Sequence, residues 1–136
     1  MSKRHGHAYE AQFIADALTR GLDVAKPEGD FLPYDLLVTN DGGKRWLRVQ
    51  VKGTAYVQCG KRLPTYKILA ARGFKRKTPI DDADVDVLAA WVAPALTWYH
   101  VPTKNIKARS IYLAPTRESR SQYEIWKEAW NVYHVK

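Results

Sequence analysis

Apolar side chains recur with two different periods along this chain, and the change from one to the other divides it into elements. From about Ala8 to Arg20, Tyr9, Phe13 and Ala17 form one row and Ile14 and Leu18 another, which predicts an amphipathic helix stopped by Gly21. Asp23 to Lys26 reads as a short strand. Pro27 to Pro33 is too rich in Pro, Gly and acid to be other than a loop. The period then becomes two. Asp35 to Thr39 is one strand, Asn40-Asp41-Gly42-Gly43 has strong turn chemistry, and Lys44 to Lys52 is a second strand of alternating polarity, so a hairpin is expected.

Beyond Gly53 the pattern weakens. Ala55 to Cys59 and Tyr66 to Ala71 read as strands joined across Gly60-Lys61-Arg62, with Lys75 to Thr78 in a loop. Val85 to Ala93 is apolar except for Asp86, as a buried central strand would be, and Thr97 to Val101 is its hairpin partner across Pro94. Ile111 to Leu113 suggests a short edge strand. Ser121 with Glu124 three residues later has capping-box spacing and predicts a last helix from about Gln122 to Tyr133. Its Tyr123, Trp126, Trp130 and Tyr133 form an aromatic stripe, better suited to a core or a subunit contact than to a ligand box. This order of elements predicts α+β or α/β architecture around a central mixed sheet.

Alternation in the second hairpin strand puts Leu47, Val49 and Val51 on one face and Arg48, Gln50 and Lys52 on the other. If the hairpin loop holds an even number of residues, pairing Thr39 with Lys44 for example, Asp35 lies opposite Arg48 and shares a face with Gln50 and Lys52. A one-residue slip would turn Asp35 to the opposite face. An acid, an amide and an amine on one surface suit phosphodiester hydrolysis. A divalent cation takes hard oxygen ligands, which Asp35, the Gln50 amide oxygen and the Val51 carbonyl can supply. Such a cation acidifies a bound water and offsets charge on the scissile phosphate, while Lys52 orients the nucleophile or stabilises that charge. Glu10, polar beside the apolar rows of its helix, is the natural fourth member. On composition alone these residues are ordinary surface charges of a hairpin.

Composition narrows the partner. At 136 residues with 46% hydrophobic content the chain can bury a core without staples, so one domain over 1–136 is expected. The single cysteine, Cys59, excludes an internal disulfide framework, and no apolar run approaches a membrane span. The opening Met-Ser-Lys-Arg-His-Gly-His has no apolar stretch behind its charges, so a cytoplasmic protein is expected. The net charge of +8 is unevenly spread: from Gly42 to Ile80 there is no Asp or Glu, yet eleven of the 22 Lys and Arg lie there. These are Lys44, Arg45, Arg48, Lys52, Lys61, Arg62, Lys67, Arg72, Lys75, Arg76 and Lys77. Such a segment suits DNA phosphates, and Tyr56, Tyr66 and Phe74 among the charges suit sugars or bases. The alternative is a solvated basic loop. Asp81, Asp82, Asp84 and Asp86 lack the spacing of a calcium loop and read as element-edge charge. His5, His7, His100 and His134 form no zinc pattern, and no histidine near Cys59 would activate it as a nucleophile.

Together, Glu10 on an opening helix, Pro33-Tyr34-Asp35 leading a strand and Gln50-Val51-Lys52 ending the next resemble the PD-(D/E)XK nuclease superfamily. The fuller run, Pro27-Glu28-Gly29-Asp30, Tyr34-Asp35-Leu36-Leu37-Val38 and Val49-Gln50-Val51-Lys52-Gly53-Thr54, is similar to its group I intron-encoded homing endonuclease branch. Archaeal-type Holliday junction resolvases are a more distant likeness. The resemblance implies a restriction-endonuclease-like α/β fold, a central mixed sheet flanked by helices. It also implies Mg2+-dependent DNA endonuclease activity, with Mn2+ as the other candidate cation. Carried over, Asp35 is the main metal ligand, Glu10 a supporting one, Val51 a carbonyl donor and Lys52 the catalytic lysine. Gln50 departs from the usual acid, and Asp30 is a spare carboxylate. The remaining basic residues of the segment, from Lys44 to Lys77, are the expected DNA contacts. One active site per small domain implies a homodimer or homotetramer to cut both strands, with the Trp126 and Trp130 helix as a candidate interface. A nucleoid-associated or phage or mobile-element setting follows from the same likeness. A junction resolvase and a noncatalytic DNA-binding module are the rival readings.

Overall fold

Phe13 and Ala17, the centre of the first apolar row, are wholly buried in the computed structural model, which describes residues 3–58, 63–72, 78–116 and 121–134. They anchor α1 (Lys3–Thr19), which begins a turn earlier than its apolar pattern because Lys3 to His7 continue it on an exposed face. The predicted stop is real. Gly21 has φ of 78°, its N–H donates to the Leu18 carbonyl, and the Leu22 N–H donates to that of Ala17. This pair of bonds is a Schellman motif, and Leu22 joins Phe13 and Ala17 in the core.

After β1 (Asp23–Ala25) come β2 (Leu36–Thr39) and β3 (Leu47–Thr54). The hairpin loop is longer than expected. Val38 pairs with Leu47 and Leu36 with Val49, so the register is shifted by two residues and β3 starts at Leu47, not Lys44. The Thr39 hydroxyl accepts the N–H of Gly43, and the Asp41 carboxylate accepts that hydroxyl and the Arg45 N–H. Side-chain capping thus holds the wider turn. A shift of two leaves every side chain on its expected face, since the period is two.

The central sheet has the order β1-β2-β3-β7-β8, with β7 (Val87–Val92) parallel to β3 and antiparallel to β8 (Thr97–Pro102). Every other pairing in it is antiparallel. Parallel pairing forces a long crossover between β3 and β7, and this carries β4 (Tyr66–Leu69), β5 (Ala71–Arg72) and β6 (Thr78–Pro79). Within it, β4 pairs with β9 (Ser110–Leu113) and β5 with β6. Residues 55–58 are exposed and form no strand; the Gln58 N–H donates to the carbonyl of Thr65, just before β4. The predicted turn at Gly60 to Arg62, and the loop at Lys75 to Lys77, lie outside the described residues, whereas Thr78 is in β6.

Both faces of the sheet are covered. On one, α1 packs Phe13 and Ala17 over Leu36, Val38, Val49, Val51, Val87 and Ala89. On the other, the β4–β9 ribbon places Ile68, Ile111 and Leu113 over Leu88, Ala90, Tyr99 and Val101. A buried Phe, Leu or Ile stabilises by about 1.5–3 kcal/mol, so each cluster is a substantial core. Among the described residues α1 is the only α-helix, so the second flanking layer is a strand ribbon where a helix was expected.

The last predicted helix is absent. Glu124–Trp126 and Trp130–Tyr133 are separate 3-10 turns, broken at Glu128, whose φ is 51°. Docking on the edge of β8 outweighs helical propensity here. The Glu128 N–H donates to the Trp98 carbonyl, its carboxylate accepts the Trp98 N–H, and Lys127 bridges to Tyr99. Glu124 accepts the Tyr99 hydroxyl instead of closing a capping box. The stripe is divided between both cores, and buried Trp130 stacks on Phe13, which removes it from the expected subunit-contact surface.

Candidate nuclease site

The site lies where β2 and β3 separate. Asp35 immediately precedes β2; its N–H donates to the Val49 carbonyl at 2.9 Å and its Oδ2 accepts the Val51 N–H at 2.8 Å. The paired ladder ends at Leu36–Val49; beyond it Asp35 bonds Val49 and Val51, the residues on either side of Gln50, and not Arg48. Among the paired residues the two-residue shift preserves parity. Alternation along β3 turns the Val51 N–H and carbonyl both toward β2, which has ended at this level, so the carbonyl faces the site.

Gln50 and Lys52 pair with Leu88 and Ala90 of β7 and share their face. The Gln50 Oε1 is buried and has no hydrogen-bond partner among the described residues. Such an oxygen costs about 1–3 kcal/mol unless a donor or cation reaches it. Burial raises the Asp35 carboxyl above its ordinary range; the Val51 N–H opposes this, Glu10 adds to it, and the Lys52 and Lys26 charges work against it. A carboxylate kept partly desolvated beside two ammonium groups and an unpartnered amide oxygen is a donor set that fits a hard divalent cation.

Glu10 reaches the site from the other face of the sheet. Gly53 explains how: a Cβ there would lie 2.4 Å from the Tyr9 ring, so only glycine lets α1 approach β3 this closely. Glu10 and Asp35 line one cavity of about 410 Å³ with His7, Lys26, Asp30 and Tyr34. Gln50 and Lys52 do not line it; they stand on β3, whose Val49 and Val51 bond Asp35, and the Lys52 charge acts on that carboxylate. The spare acid Asp30 is on the cavity wall as well. Lys26, which sequence reasoning missed, holds Glu10 in an ion pair at 3.1 Å. Its only sequence signal was its place at the end of β1, beside the loop that leads to Asp35. His7 was likewise not assigned to the site. Among the described residues no three His, Cys, Asp or Glu cluster as metal ligands, as follows from glutamine standing where an acid is usual.

The expected DNA contacts fare unequally. Lys44 and Arg45 are exposed in the hairpin loop and Lys67 on β4, while Lys61, Arg62, Lys75, Arg76 and Lys77 lie outside the described residues. Arg72 belongs to β5. Arg48 is engaged in the fold: its guanidinium bonds both Asp86 oxygens, at 3.0 and 2.9 Å, and the carbonyls of Ala83 and Asp82. This pairing accounts for Asp86 inside an apolar run. Asp81 accepts the Ala83 N–H as a turn cap, so these two acids serve the start of β7. No helix among the described residues is long and apolar enough to cross a membrane.

A family model described as PD-(D/E)XK endonuclease matches residues 1–133. Among solved structures, the bacterial homing endonuclease I-Ssp6803I superposes with a TM-score of 0.78 at 26% sequence identity, over 97% of this chain and 93% of that one. The Holliday junction resolvase Hjc of Archaeoglobus fulgidus superposes with a TM-score of 0.49 at 13% identity, over 82% and 84%. No curated protein matches.

Proposed function

Because this chain belongs to the PD-(D/E)XK endonuclease family, we propose that it is a homing-type DNA endonuclease whose divalent cation, Mg2+ or Mn2+, is held by Asp35, Gln50 and Val51. Glu10 is the supporting ligand and Lys52 the catalytic lysine. The observation that carries this reading is the buried Gln50 Oε1, without a hydrogen-bond partner among the described residues, next in sequence to Val51, whose N–H the Asp35 carboxylate accepts. When bound, the cation supplies charge neutralisation at the scissile phosphate and lowers the pKa of water.

The protein's own groups do the remaining work. The Val51 N–H orients the Asp35 carboxylate, so one of its oxygens has a fixed direction and the other faces the site. Lys52 presents its ammonium to the attacking water and to the negative charge that builds on phosphorus. Lys26 holds Glu10 at the cavity and lessens the repulsion between Glu10 and Asp35. The basic stretch from Gly42 to Ile80 attracts the duplex backbone.

The direct test is supercoiled plasmid with Mg2+. Asp35→Asn keeps an acceptor for the Val51 N–H but removes the charge, and Lys52→Ala removes the ammonium. Each is expected to lower cleavage by about 10³-fold or more, the order seen when one charge-stabilising group is removed. Unaltered cleavage by both variants would eliminate the site.

A further inference from the structure

We infer that the outer face of the β4–β9 ribbon is a base-reading surface that enters the major groove of duplex DNA; this rests on the nuclease reading above. Ribbon residues alternate. Tyr66, Ile68, Ile111 and Leu113 point into the core, so Lys67, Leu69, Ser110 and Tyr112 point away from it. Lys67 stands directly opposite Tyr112, and Leu69 opposite Ser110. Leu69 is 39% exposed and Tyr112 45%, so the outer face presents open apolar area.

Charge selects the occupant. Both strands come from stretches without acid: Gly42 to Ile80 holds no Asp or Glu, and neither does Val87 to Arg117, which contains Lys104, Lys107 and Arg109. A protein partner gains little from strands drawn from such basic, acid-free stretches, whereas a polyanion gains from their charge.

Shape points the same way. Two strands lie about 4.8 Å apart, and the major groove, about 12 Å wide, admits a two-stranded ribbon. The four outward groups also have the right chemistry. An ammonium donates to guanine O6 and N7, a serine hydroxyl donates or accepts, and an aliphatic side chain meets the thymine methyl. The ribbon also lies near the nuclease site, since β4 packs against β3, the strand that carries Gln50 and Lys52.

The experiment is selection of bound duplexes from a randomised DNA library by the full chain carrying Asp35→Asn, which binds without cutting. It is repeated with Lys67→Ala plus Tyr112→Ser added, and with Lys67→Gln alone as a milder change. The parent is expected to enrich a sequence. The ribbon variants should lose discrimination at adjacent positions, on the order of tenfold per base contact, with unchanged thermal unfolding because both side chains point outward. An identical enriched sequence, uniform weakening over all sequences, or no enrichment by the parent would overturn the inference. Plasmid cleavage by the wild-type chain answers separately for the nuclease reading. Altered selection in a protein that never cuts would leave the ribbon standing and the catalytic site refuted.

Discussion

His100 and Gln50 each carry a buried polar atom without a hydrogen-bond partner among the described residues, His100 Nε2 and Gln50 Oε1, in contrasting surroundings. His100 is wholly buried among Phe13, Trp98, Trp130 and Tyr133, with its Nδ1 2.7 Å from the Tyr133 hydroxyl. The Asp16 and Glu128 carboxylates meet that box at its rim, accepting the indole N–H groups of Trp98 and Trp130, and Arg20 lies over the Trp130 ring. Gln50 instead lies between Val49 and Val51, both bonded by Asp35, a carboxylate on which the Lys52 and Lys26 charges act. An unpartnered polar atom therefore does not mark a site by itself. It does so where ionised groups and an opening to solvent surround it; inside an aromatic core it marks packing that has prevailed over hydrogen bonding.

Swapping each residue for leucine should divide function from stability. Gln50→Leu is expected to cut plasmid cleavage by about 100-fold or more while leaving the unfolding midpoint equal or higher, because it removes a desolvated carbonyl. His100→Leu should do the reverse. It leaves the Tyr133 hydroxyl unpartnered in the core and costs about 1–3 kcal/mol in urea unfolding, with the cleavage rate of the folded protein preserved. Equal loss of activity in both variants would dissolve the distinction.

Acid should separate the two regions next. Burial, helped by Arg20, depresses His100 to about 3, whereas the unfolded chain protonates near its ordinary 6.5. Between those values the unfolded state binds the extra proton, so stability is full above about pH 6.5 and is lost as pH falls toward 3. The loss amounts to a few kcal/mol, on the order of one per pH step. Urea midpoints at pH 7, 5.5 and 4 should converge for wild type and the leucine variant; a constant gap would assign the titration to other groups. The smallest effect concerns Lys26. Lys26→Met removes the ion pair that holds Glu10 and one charge that lowers the Asp35 pKa. Calorimetric titration with Mg2+ should show affinity raised by roughly three- to tenfold, from loss of one opposed charge at effective dielectric values near 20. Weaker binding would mean that Lys26 positions Glu10 and does not compete with the cation.

Much of the site was legible because it depends on local regularities. Alternation alone placed Gln50 and Lys52 on one face, and parity survived a two-residue error in register. The Asn40–Gly43 turn was located but its length was not, since Thr39 and Asp41 cap a wider loop through side-chain bonds that turn propensities do not count. Lys26 escaped because its contact with Glu10 spans two elements whose juxtaposition no local pattern specifies. The failed last helix is the clearest case. Its spacing, capping residues and aromatic stripe agreed, yet bonds from Glu128 to Trp98 on β8 offered more than one isolated helix could.

What the amino-acid order determined by itself was the opening helix with its glycine stop, the β2–β3 hairpin, the β7–β8 hairpin and the clustered positive charge. These rest on contacts between near neighbours and on residue chemistry. Only tertiary structure decided that β3 and β7 run parallel, that a strand ribbon replaces a second helical layer, that Arg48 bonds Asp86, and that Glu10 arrives beside Asp35 across Gly53. Each of these is a pairing of distant segments chosen by burial of shared apolar area, a quantity that exists only once both faces of the sheet have been filled.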